Sequence, residues 1–263
     1  IIAGASDLMI DMETGKISAQ ALVDITKIDE LKTIKIENDE LIIGAAATLT
    51  EIARSPIVNK NYPSLAKGAG TVGSLQIRNS ATLMGNVITA QPAADAAMSV
   101  APLAPIFEIV SKQGTRTATI SEMYAGFGKT SVDCTKELVT FVRIPLPKEN
   151  EAASFIRLEL RKSLSLPMLN AAAMAHIENG KVLWARITMG PVGVGPTFAK
   201  QAQEWLVGKE LTEENMEYAG NVALKDANPR SNPLRGSKEY REQTLPVLVK
   251  RALAEIKSQL AKA

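Results

Sequence analysis

The stretch QIRNSATLMGNVITAQPAAD, running from Gln76 to Asp95, decides how this chain is read. It sets apolar positions at Ile77 and Leu83 beside hydroxyl and amide donors, Thr82 and Asn86 among them. Gly85 adds a point where backbone can approach a ligand closely. A dinucleotide cleft needs this combination, and so does a structural loop whose Asn and Thr satisfy their own backbone. The Asp95 carboxylate, behind Pro92-Ala93-Ala94, has the chemistry to accept from ribityl or ribose hydroxyls, or to cap a helix. From Gly73 to Asp95 the density of Gly, Ser, Thr, Asn and Pro predicts a long irregular segment, and such segments usually carry function.

Upstream, Ile1-Ile2-Ala3 reads as a short strand that turns through Gly4-Ala5-Ser6-Asp7 into an apolar run from Leu8. Small residues there leave backbone N–H groups open to a diphosphate, with the Ser6 hydroxyl as a further donor; ordinary turn chemistry uses the same residues. Leu31 to Gly44 reads as a hairpin around Glu37-Asn38-Asp39-Glu40. Thr48 with Glu51 matches a capping box ahead of a helix, and Pro63-Ser64 opens another that reaches Val72.

Downstream, strands are predicted at Ile106–Val110, Thr115–Thr119 and Glu137–Ile144, with a second capping-box helix at Thr119 and Glu122. The polar linker from Pro145 to Ala152 sets a domain boundary near residue 150. Residues 1–150 form the first domain, with sub-lobes of about 1–55 and 56–150, and residues 151–263 the second. The second restarts with strands at Phe155–Leu160 and Lys181–Met189 around a helical Pro167–His176. It ends in amphipathic helices over Thr212–Leu224 and Ser237–Leu260, with Pro246 near the first turn of the last. From Lys225 onward nine Lys or Arg stand against four Asp or Glu. That excess suits a solvated helix face or an acidic partner.

Composition removes whole classes of chemistry. A formal net charge of +2 gives no electrostatic reason for a nucleic acid or membrane partner. Cys134 is the only cysteine, which excludes an intrachain disulfide and any cluster or zinc site built from this chain's cysteines alone. His176 is the only histidine, so a catalytic triad or a histidine metal site has almost no material. An enzyme of this composition needs a bound cofactor to carry its chemistry. No apolar run reaches the roughly 20 residues that span a bilayer. A cytoplasmic location is expected, and so is a leading segment ahead of Ile1.

In this order, AGASDL (3–8), IGAAATLTEI (43–52), QIRNSATLMGNVITAQPAAD (76–95) and ELVTFVRIPLP (137–147) resemble the FAD-binding middle subunit of the molybdenum hydroxylases. That class includes xanthine dehydrogenase and carbon monoxide dehydrogenase. FIRLELRKSLSLPMLNAAA (155–173), ARITMGPVGVGPTFA (185–199) and Tyr240-Arg241 are similar to the family's C-terminal domain, so the resemblance covers essentially the whole chain. It implies an α+β fold: a two-lobed FAD-binding domain of the PCMH type, then a smaller domain of antiparallel sheet and helices. The family's short first strand and helix are expected to precede Ile1.

The resemblance further implies FAD between the lobes, its pyrophosphate held by Ala3, Gly4, Ala5, Ser6 and Asp7 and by Thr82, Met84, Gly85 and Asn86. Ile77 and Val139 would supply apolar wall and Asp95 would hold flavin hydroxyls. Arg157, where the family often has Lys, would bring a positive charge to the flavin. Two positions depart from the pattern: Ala5 and Met84 stand where the family usually has glycine. Implied partners are a molybdopterin-containing large subunit and an iron–sulfur small subunit, with NAD, quinone, ferredoxin or oxygen as the electron acceptor. Two rival readings stay open, a flavin-free structural subunit that keeps the fold and a stand-alone flavin reductase.

Overall fold

The Gly4–Asp7 turn leads into α1 (Leu8–Glu13), but the strand expected before it is a single parallel bridge between Ile2 and Asp24 in this computed structural model, which describes residues 1–261. The hairpin forms as β1 (Ile34–Glu37) and β2 (Glu40–Gly44). Asn38 and Asp39 at its turn both take positive φ, 52° and 58°, matching the twist of the flanking strands. The first capping box opens α2 (Leu49–Arg54): the Thr48 hydroxyl accepts from the Glu51 amide, and the Glu51 carboxylate accepts from the Thr48 amide. Two helices with proline in their first turns follow, α3 (Pro56–Asn61) and α4 (Pro63–Thr71).

The predicted irregular stretch from Gly73 to Asp95 is instead a run of short helices, α5 (Leu75–Arg78), α6 (Leu83–Ile88) and α7 (Asp95–Val100). Ser74 and Thr82 cap the first two through their hydroxyls. One or two turns are too few for a hydrophobic period to stand out. Strands β3 (Ile106–Ser111) and β4 (Gly114–Thr119) form as expected. The second capping box makes its bonds at Thr119 and Glu122, yet no helix grows from it. Gly126 and Gly128 lie just beyond, and the chain turns into the small hairpin of β5 (Tyr124–Gly126) and β6 (Lys129–Thr130).

Strand β7 (Glu137–Pro145) completes an antiparallel sheet of order β1-β2-β7-β3-β4. Its core holds Leu41, Ile43, Phe107, Ile109, Val139 and Val142, all buried. Then come β8 (Glu151–Leu158), β9 (Leu169–Glu178), β10 (Lys181–Gly190) and β11 (Thr197–Phe198), in a sheet of order β11-β10-β9-β8. Helices α8 (Lys200–Leu206), α9 (Glu213–Ala223) and α10 (Lys238–Leu260) cover one face of this sheet. Pro246 sits well inside α10 rather than in its first turn, so one backbone donor is missing there.

The expectation of a helix over Pro167–His176 is wrong: that segment is the inner strand β9. Leu169, Ala171, Ala173 and Ala175 face α9 and α10. Ala172 meets Met98 of α7, and Met174 joins the core of the first sheet. A strand buried on both faces loses the alternation that marks a strand, and its alanines read as helix formers.

Candidate functional site

Two loops converge at Gly4. The Ile2 amide donates to the Val23 carbonyl, and the Ile2 carbonyl accepts from the Ile25 amide, so the chain enters the 3–7 loop on a fixed path. The second loop is pinned to the start of α2, where the Leu49 amide donates to the Ala81 carbonyl and Thr48 bridges Thr82. A Cβ on Gly4 would lie 2.0 Å from the Ser80 carbonyl oxygen, so only glycine lets the loops touch. Beside the contact a cavity of about 270 Å³ is lined by Ala3, Gly4, Thr48, Asn79, Ser80 and Lys32, among others.

Among the described residues, the amides of Gly4, Ala5, Ser6 and Asp7 and those of Leu83 and Met84 donate to nothing within the chain. Unpaired amides at a converging pair of loops make a natural anion cradle. The Ser6 hydroxyl donates to the exposed Asp7 carboxylate at 3.3 Å, so Asp7 can offer an anion its amide but not its side chain. The Thr82 hydroxyl oxygen accepts from the Gly85 amide at 3.1 Å. Asn86 accepts from the Ala97 amide at 3.0 Å, tying α6 to α7. Met84 has an ordinary helical backbone, and its side chain, 3% exposed, packs into the core rather than the crevice. Ala5 is different: its φ is 55°, in the region that favours glycine.

A second constellation lies where α7 meets the C-terminal sheet. Asp95 and Arg157 are separated by sixty-two positions in the sequence, yet they face each other with side chains 5% and 7% exposed. Arg157 Nε donates to Asp95 Oδ2 at 3.0 Å, and Asn170 Nδ2 donates to Asp95 Oδ1 at 2.9 Å. Arg157 also pairs with Glu159 and donates to the Ser165 carbonyl. Burial pushes the Asp95 carboxyl above its ordinary value, with Arg157 and Asn170 pulling the other way. Asn170 Oδ1 is buried and accepts from nothing, which leaves a hydrogen-bond position open beside the carboxylate.

Of the residues singled out in the sequence, the structure thus brings the 3–7 and 82–86 loops together, and links Asn86 through α7 to Asp95 and Arg157. Ile77 is 40% exposed on α5, while Val139 is buried in the first sheet opposite Ile109. Sequence reasoning missed Asn170, Glu159 and Ser165. Asn170 had a signal: it is the lone amide in the apolar run from Met168 to Ala175.

A family model described as the FAD binding domain in molybdopterin dehydrogenase matches residues 1–147, and one described as the CO dehydrogenase flavoprotein C-terminal domain matches residues 155–256. The chain belongs to this family of FAD-binding oxidoreductase subunits. Over 263 residues it is 32% identical to the nicotinate dehydrogenase FAD-subunit of Eubacterium barkeri, covering 99% of this chain and 88% of that one. Over 258 residues it is 27% identical to the carbon monoxide dehydrogenase medium chain of Afipia carboxidovorans, covering 98% and 88%. A chain of the crystal structure of Cu,Mo-CO dehydrogenase superposes with a TM-score of 0.90 at 27% identity, covering 98% of this chain and 89% of that one. A chain of quinoline 2-oxidoreductase from Pseudomonas putida 86 gives 0.88 at 26%, with the same coverage.

The residues present fit the FAD this family binds. The unpaired amides suit a diphosphate, Asp95 retains lone pairs for hydroxyl donors, and the open acceptor on Asn170 suits an N–H or O–H. Met84 turns inward to the core and leaves the crevice clear, and Ala5 brings only a methyl to it.

Proposed function

We propose that this chain is the electron outlet of a molybdenum hydroxylase, receiving electrons from the iron–sulfur clusters of a small subunit and delivering them to an external acceptor such as NAD. A large, molybdopterin-containing subunit would carry the substrate chemistry. Bound FAD supplies the redox chemistry. The loops at 3–7 and 82–86 grip the diphosphate through their amides, and Asp95 binds flavin hydroxyls while Arg157 and Asn170 hold its carboxylate in place. The two-domain division near residue 150 belongs to the same reading: the first domain supplies the diphosphate grip and the second supplies Arg157.

The observation that carries this reading is the set of unpaired amides at the Gly4–Ser80 contact. With one cysteine, residues 1–263 cannot hold the clusters, and this reading places them on the small subunit. The test is a titration of the purified chain with FAD, followed by flavin absorbance and repeated with Arg157→Met. One equivalent should bind to the wild type, and the variant should bind more weakly. Absence of FAD both from the titrated chain and from the freshly purified complex would leave a flavin-free scaffold in its place.

A further inference from the structure

The seam between α9 and α10 is closed by charge at one end and open at the other. At the closed end Lys250 of α10 reaches two carboxylates of α9, Glu213 at 2.7 Å and Glu217 at 3.0 Å. One turn back along α10 stands Pro246, and Gly220 of α9 packs so tightly on it that a Cβ there would lie 2.4 Å from the Pro246 carbonyl oxygen. Beside that contact lies a groove of about 470 Å³, lined by Asn221 and Leu224 on one side and by Glu239, Glu242, Gln243 and Pro246 of α10 on the other.

In the groove the carboxylates sit on α10, and among the described residues no cation of α9 pairs with them. Lys238, on their own helix, lies 3.6 Å from Glu242, yet Glu239 is exposed and Glu242 partly so. Pro246 has no N–H, so the Glu242 carbonyl is also without its helical donor, and both residues of that missing bond line the groove. Two carboxylates and a spare carbonyl thus surround the apolar surface of Leu224 and Pro246. Such a site suits the aliphatic stem and charged head of a lysine or arginine, the role that Lys250 fills from within the chain one turn away. We propose that this groove receives a lysine or arginine side chain of a partner subunit. The charge pattern calls for a basic segment; that the segment belongs to a subunit of the same enzyme rests on the proposed function.

The test uses the assembled complex, purified with FAD bound. In Gln243→p-benzoylphenylalanine, irradiation should join this chain to a partner subunit at a segment that carries lysine or arginine. The double variant Glu239→Gln/Glu242→Gln should raise the subunit dissociation constant about five- to tenfold at low ionic strength and by less at about 1 M salt. Its unfolding midpoint and FAD binding as an isolated chain should match the wild type. Four results overturn the groove and leave the electron-outlet reading standing: a complex that gives no cross-link there, a cross-link to a second copy of this chain, one to a partner segment without a basic residue, or a dissociation constant indifferent to the double substitution. Failure of the chain to join any iron–sulfur or molybdenum subunit overturns both.

Discussion

Each of the two loops that meet at Gly4 carries a residue other than glycine at a position where the family resemblance leads one to expect glycine, and the two have opposite physical meanings. Met84 lies in α6, on backbone open to any residue, and its side chain fills the core behind the crevice. There the side chain contributes packing. Ala5 keeps the left-handed backbone, at φ 55°, and bears its strain without burying anything large. A glycine can be wanted for its torsion or for its lack of a side chain, and the two wants are separable. Gly4 supplies the contrast, because there the absence of a side chain is itself the contact.

The largest effect is expected at that contact. In Gly4→Ala the new methyl meets backbone, the Ser80 carbonyl and the Ala81 Cα, which cannot swing aside as a flexible side chain can. The loops must part, at a cost of about 3 kcal/mol, and the amides lose their shared target. Thermal unfolding should drop by several degrees, and FAD affinity should fall by well over tenfold. A variant that binds FAD normally would mean the loop contact is not part of the flavin site. Next in size, Met84→Ala removes a buried core side chain and should cost about 2–3 kcal/mol in urea unfolding, with FAD affinity changing less than about threefold. A large affinity loss instead would place Met84 at the ligand.

The first loop was legible in the sequence because small residues cluster visibly there, whereas the second stretch, read as irregular, is a run of short helices. The hairpin turn at Asn38-Asp39 and the capping box at Thr48 and Glu51 were legible for a similar reason: each is fixed by residues within four positions of one another. What escaped was decided by burial from a distance. Strand β9 lies between two layers that the chain supplies before and after it, so the alanines at 171–173 carry no local mark of being a strand. The Asp95–Arg157–Asn170 constellation escaped in part for the same reason. Each residue drew notice or not on its own, but their mutual bonds depend on how α7 seats against β8 and β9.

That constellation provides a control belonging to neither loop. Burial raises the folded-state value of the Asp95 carboxyl above its ordinary 3.8, so the folded protein holds this proton more tightly than the unfolded chain. The stability so contributed is present below the ordinary value and lost as pH rises through the folded one. Wild type should therefore lose stability relative to Asp95→Asn as pH climbs from about 4, when denaturation midpoints are compared at a series of pH values. A difference that does not vary with pH would mean that Arg157 and Asn170 fully offset burial.

The smallest effect is expected at Ala5, where it separates torsion from space. Placing glycine there, Ala5→Gly, should relieve about 1–2 kcal/mol of left-handed strain. The greater freedom of glycine in the unfolded chain takes back about 0.5–1 kcal/mol. The net gain is below about 1 kcal/mol, a rise of a few degrees at most in a chain of this size. FAD affinity should stay within about threefold of wild type, since the Ala5 amide is already free in either case. If affinity instead rose more than about tenfold with stability unchanged, the Ala5 methyl would have been occupying ligand space. The two loops would then differ in how they obstruct the crevice and not only in how they are strained.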